Sequence, residues 1–96
     1  APEGILHNMY GPKTDVWAFG VMVYELYHGH TPFSYCQTEQ DLRTSVVMPL
    51  QWHQLKAELP HDVKELILSC MEVREDKRPT IQQLASKTFL INALQN

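Results

Sequence analysis

The longest apolar run in the chain, Val16 to Tyr27, is interrupted only by Ala18, Gly20 and Glu25 and has almost no polar face. Thr14 and Asp15 supply an N-terminal signal ahead of it. Gly29 and the Thr31-Pro32 pair supply the stop, because glycine suits the left-handed C-cap and proline cannot continue a helix. The pattern predicts a helix over residues 15–28, and a helix apolar all round needs neighbours on every side. Before it, Pro2, Gly4, Gly11 and Pro12 surround a short apolar patch, Ile5-Leu6, which predicts connecting chain with at most one or two helical turns.

After the stop, Thr38-Glu39-Gln40-Asp41 resembles a capping box and opens a short helix reaching about Val47. Residues 49–59 are irregular, with Trp52 and Leu55 as the expected anchors. Pro60-His61-Asp62 then starts a clearer helix. Its apolar residues Val63, Leu66, Ile67, Cys70 and Met71 fall on one stripe, which sets Lys64, Glu65 and Ser69 on the other side. The charged stretch 72–78 reads as a surface connection. Thr80-Ile81-Gln82-Gln83 matches a capping box that opens a last helix, with Leu84, Ala85 and Phe89 inward. No segment sustains the alternation of a half-buried strand, so the class is all-α, with four to five helices around the central apolar one. Three short amphipathic helices cover only part of that central helix, so residues 15–28 read as the middle of something larger.

Composition narrows the function more than the fold. With 96 residues, 44% hydrophobic and 20% charged, the chain supports one small core and resembles an ordinary globular protein. A net charge of -3 gives no basic footprint for nucleic acid or anionic membranes, and the apolar run is too short to span a bilayer. Cys36 and Cys70 are too few for a disulfide framework or a zinc site, so reduced thiols and a cytoplasmic location, or a nuclear one, are expected. The five histidines, His7, His28, His30, His53 and His61, lack the helical pairing with a glutamate that a metalloprotease needs. They read as exposed or capping residues, and no metal site is expected.

Three pieces of sequence together resemble the protein kinase family. They are Ala1-Pro2-Glu3, then Lys13-Thr14-Asp15-Val16-Trp17-Ala18-Phe19-Gly20-Val21 with Tyr24-Glu25-Leu26, then Lys77-Arg78-Pro79-Thr80. Ala-Pro-Glu alone is worthless as a signature, but Asp-Val-Trp-x-x-Gly beginning twelve residues after Glu3, with Arg-Pro more than sixty residues further on, is specific. The resemblance spans residues 1–96 and implies the C-terminal portion of a kinase catalytic domain, with residues 15–28 as the buried central helix of its helical lobe. It also implies that the glycine-rich loop, the strand lysine, the catalytic loop and the metal-binding motif lie upstream of Ala1. No catalytic, nucleotide-binding or metal-binding residue is then expected among these 96; ATP and magnesium belong to the parent kinase.

The resemblance assigns roles residue by residue. Glu3 and Arg78, 75 residues apart, should form a buried ion pair that fastens the end of the activation segment to the helical lobe. Asp15 should anchor the catalytic loop through backbone N–H groups, or otherwise cap its own helix. Trp17 should pack against the Pro2 region, and Gly20 should permit close helix contact. Glu25 is either a substrate-recognition carboxylate for basic peptides or a structural one. Two departures blur the subfamily: Arg74-Glu75 stands where the family usually has Asp-Pro, and Lys87-Thr88 precedes Phe89 where many serine/threonine kinases have His-Pro. Phe19 is more common in tyrosine-kinase and tyrosine-kinase-like groups, while serine/threonine specificity is the preferred expectation.

The resemblance thus implies a scaffold and docking surface within a kinase that phosphorylates protein hydroxyls, inactive when isolated. Its partners are the protein substrate and the remainder of the kinase domain. The alternatives are a pseudokinase lobe that binds partners and transfers nothing, and a self-standing helical adaptor unrelated to kinases. An isolated chain should cover its central helix with a second copy, as a homodimer or by swapping elements.

Overall fold

A computed structural model describes residues 1–86. Five α-helices follow one another: α1 (Pro2–His7), α2 (Pro12–His28), α3 (Glu39–Val46), α4 (His61–Cys70) and α5 (Ile81–Ala85), with single 3-10 turns at Trp52–Gln54 and Glu75–Lys77. No strand occurs among the described residues, and the all-α class stands. Phe89 and the Lys87-Thr88 departure lie outside the described residues.

The core forms where α2 crosses α4. Gly20 makes the crossing close: a Cβ at this position would lie 2.7 Å from Cys70 Cβ and 2.9 Å from Met71 Cγ. Around the crossing Val16, Val23, Tyr24, Val63, Leu66, Ile67, Cys70 and Met71 are buried, together with Leu84 from α5 and Val46 from α3. Burying such side chains contributes about 1.5–3 kcal/mol for each large aliphatic one. The apolar stripe read on α4 is therefore the core face. The stop after α2 also behaves as expected, with Gly29 left-handed at φ 79° and its N–H bonded to the Glu25 carbonyl.

Several expectations need correction. The central helix begins at Pro12, with Gly11 as N-cap, so Asp15 sits inside the first turn and does not cap it. Proline at the first helical position costs nothing there, since its missing N–H has no intrahelical partner. Thr38 does accept from the Asp41 N–H, but the Asp41 carboxylate accepts from Gln37 N–H rather than from Thr38, so the box is only half formed. The complete box is at Thr80 and Gln83. Of the two expected linker anchors Leu55 is buried as expected, but Trp52 is 42% exposed and Leu59 takes its place. Lys64, expected on the solvent side, is buried: its ammonium donates to the Ala57 carbonyl at 3.2 Å and lies 5.1 Å from the Trp52 ring centre. The long apolar stem is covered while the charge keeps two partners. Ala85 points outward, and Arg78 is buried within a stretch that reads as surface.

Candidate functional site

Arg78 lies at the end of the second 3-10 turn, just before the cap of α5, and its side chain is fully enclosed. A guanidinium carries five N–H donors in a rigid plane and can discard none of them by deprotonation. All five are matched. Nη1 donates to Glu3 Oε2 at 2.7 Å and to the Lys13 carbonyl at 2.9 Å, and Nη2 donates to Glu3 Oε1 at 2.9 Å and to the Val73 carbonyl at 3.2 Å. Nε donates to the Glu72 carbonyl at 2.7 Å. The fork-to-fork pairing with Glu3 is the strong, orientation-selective form of an ion pair.

Glu3 receives a third donor, the Thr14 hydroxyl at 2.8 Å. That hydroxyl in turn accepts from the Gly11 N–H at 3.1 Å, so one side chain caps α2 and orients the carboxylate. The Arg78 guanidinium first, and the Thr14 hydroxyl with it, hold the Glu3 carboxyl down at about 2 against an ordinary 4.5. Lys13 closes the ring, its ammonium donating to the Arg78 carbonyl at 2.8 Å. The result is a clamp joining α1, the start of α2, the 72–78 segment and the entry to α5. Neither Lys13 nor Thr14 was singled out for this cluster from the sequence; the spacing of Thr14 three residues after Gly11 is the one signal that could have found it.

The remaining residues of interest stand apart from the clamp. Trp17 is buried and stacks on Phe33, ring centres 5.4 Å apart, whereas the expected neighbour was the Pro2 region. Pro2 is buried in α1, and Gly20 is at the α2–α4 crossing. The Asp15 side chain is exposed at the rim of an apolar groove formed with Val16, Phe19, Ile81, Leu84 and Ala85. Glu25 is exposed on the last turns of α2. His61 and Glu65, four residues apart, do pair across one turn at 3.7 Å with Asp62 beside them, a correction to the reading of the histidines; all three are exposed.

The five donors of Arg78 and the carboxylate of Glu3 are engaged within the protein. The chemistry of the clamp is mechanical: it fixes α1 against the helical body.

A comparison with known families bears on which body that is. The protein kinase domain matches over residues 1–90. The chain belongs to the protein kinase family. Among its relatives in that family, it is 36% identical over 88 residues to the tyrosine-protein kinase-like otk of Drosophila persimilis, covering 90% of this chain and 8% of that protein. It is 30% identical over 96 residues to the serine/threonine-protein kinase STE20 of Debaryomyces hansenii, covering 97% of this chain and 9% of the other. A putative mitogen-activated protein kinase kinase kinase 7-like protein of Drosophila melanogaster is 28% identical over 91 residues, covering 88% and 23%. The chain thus spans less than a quarter of the length of each of these kinase relatives. They carry both tyrosine and serine/threonine names.

Proposed function

We propose that the full-length protein transfers the γ-phosphate of ATP, with magnesium, to serine or threonine hydroxyls of protein substrates, and that this chain supplies scaffold and docking surface for that reaction. The observation that carries the reading is the clamp: a bidentate, fully matched arginine–glutamate pair that fixes the Ala-Pro-Glu segment to the helical body. A kinase positions its substrate and stabilises charge more than it makes bonds, so a rigid end to the activation segment serves the chemistry directly. On this reading exposed Asp15 holds the catalytic loop, and exposed Glu25 contributes to binding a basic residue of the substrate.

The test is phosphate transfer from labelled ATP by the full-length protein to peptide arrays presenting serine, threonine and tyrosine, with and without upstream arginines. Transfer to serine or threonine supports the reading, and preference for the arginine-containing peptides supports the role of Glu25. Transfer to tyrosine alone would move the protein to the other specificity class. A folded protein that transfers nothing would be a pseudokinase lobe acting through protein contacts. The purified chain by itself should show no ATP turnover.

A further inference from the structure

The last turn of α2 carries a histidine with two backbone partners of opposite kind. His28 Nδ1 lies 2.9 Å from the Tyr24 carbonyl oxygen, and the Lys56 N–H points at Nε2 across 3.1 Å. A carbonyl only accepts and an amide only donates, so the two partners fix the tautomer: Nδ1 carries the proton and Nε2 presents its lone pair. The ring is held in place by parallel stacking on Tyr24, with centroids 3.8 Å apart, and by His30 edge-on at 6.2 Å. We infer that His28 is a pH-sensitive latch that ties the linker of residues 47–60 to α2 while neutral and releases it when protonated.

A proton on Nε2 removes the acceptor and sets N–H against N–H. Nothing changes at Nδ1, which continues to donate to Tyr24, and a cation in the last turn of a helix is favoured by the helix dipole. Protonation therefore leaves the end of α2 in place and acts on the linker.

The neighbouring charges do not compensate. On α2 these are exposed Glu25 and Tyr24, whose phenol is pushed up by burial. The following turn contributes His30, and the linker contributes His53, Lys56 and Glu58. From α4, Lys64 places its ammonium on the Ala57 carbonyl, one residue beyond Lys56. Among the described residues no carboxylate forms an ion pair with the His28 ring, so none replaces the lost bond.

Release stays local because Leu55 and Leu59 remain in the core on either side of Lys56. What loosens is the backbone at Lys56 between those two anchors.

Hydrogen–deuterium exchange of the full-length protein, read by mass spectrometry over residues 52–57 and corrected for intrinsic rates, tests the latch. The comparison is wild type against His28→Ala at about pH 7.5 and about pH 5.5. At the higher pH the wild type should exchange about fivefold more slowly at Lys56 than the variant, the scale of one net hydrogen bond. At the lower pH that difference should vanish. His28→Gln, which keeps an uncharged acceptor, should hold the slow exchange at both. A wild-type advantage over the alanine variant that is absent at the higher pH or persists at the lower one overturns the latch, as does a glutamine variant that follows pH like the wild type.

Discussion

Arg78 can be probed by substitutions that separate charge from geometry. Arg78→Ala leaves Glu3 beside Thr14 with its cation gone, and breaking a buried pair on one side costs about 3–5 kcal/mol. Arg78→Lys keeps the charge but offers three donors where the site holds five acceptors, so it should fall between wild type and alanine in urea denaturation of the full-length protein. An unchanged midpoint for the alanine variant would show that the clamp does not bear on stability. The pH dependence has a definite sign. The Glu3 carboxyl is held at about 2 in the folded protein against an ordinary 4.5, so its stabilisation is complete above the higher value and is lost as pH falls towards the lower. Glu3→Gln should abolish this part of the acid dependence, seen as a flatter plot of denaturation midpoint against pH. The pair was legible only through the family resemblance, since nothing in the periodicity connects residues 75 positions apart. Lys13 escaped notice because its ammonium bonds a backbone carbonyl, that of Arg78, and its own carbonyl receives Arg78 Nη1, so neither contact pairs it with a distinctive side-chain acceptor in the sequence.

The helices themselves were legible wherever an apolar stripe or a cap made them so, and the errors cluster where a side chain is amphipathic or a proline is ambiguous. Val63, Leu66, Ile67, Cys70 and Met71 have the spacing of a core face and form one. Pro12 reads equally as the end of a loop or the first residue of a helix, and the Gly11–Thr14 bond decides for the helix. Lys64 reads as surface, but its stem is long enough to lie in the core margin with its ammonium on a carbonyl. Trp52 reads as an anchor by size beside Leu55, yet the smaller Leu59 joins Leu55 in that place and the indole serves as a cover for Lys64. The α2–α4 crossing gives the sharpest test at this scale. Gly20→Ala must force the helices apart against Cys70 and Met71 and should cost about 1–3 kcal/mol. Gly11→Ala is the matched control, with no neighbouring atom within 4 Å of the new methyl and extended backbone that alanine adopts readily. Thermal unfolding of both variants separates crowding at the crossing from a general effect of replacing glycine.

At the scale of the whole molecule, α2 is covered on one side only by the described elements. Met22 is 48% exposed and Leu26 75% exposed, and together with half-buried Phe19 they continue the stripe that opens beside the groove between α2 and α5. An apolar surface of this kind on a central helix calls for a covering layer, and the kinase relatives are several times longer than this chain. The same substitution should therefore have opposite effects in two settings. In the isolated 96-residue chain, Met22→Lys places a charge on an open face, so it should reduce self-association, seen in sedimentation velocity as a shift towards monomer at a given concentration. In the full-length protein the same lysine would be driven into a packed interface, where an unpaired charge costs several kcal/mol, and the melting temperature should fall. Equal tolerance in both settings would mean that this face of α2 stays open in the complete protein, and the central helix would then not be the middle of a larger lobe.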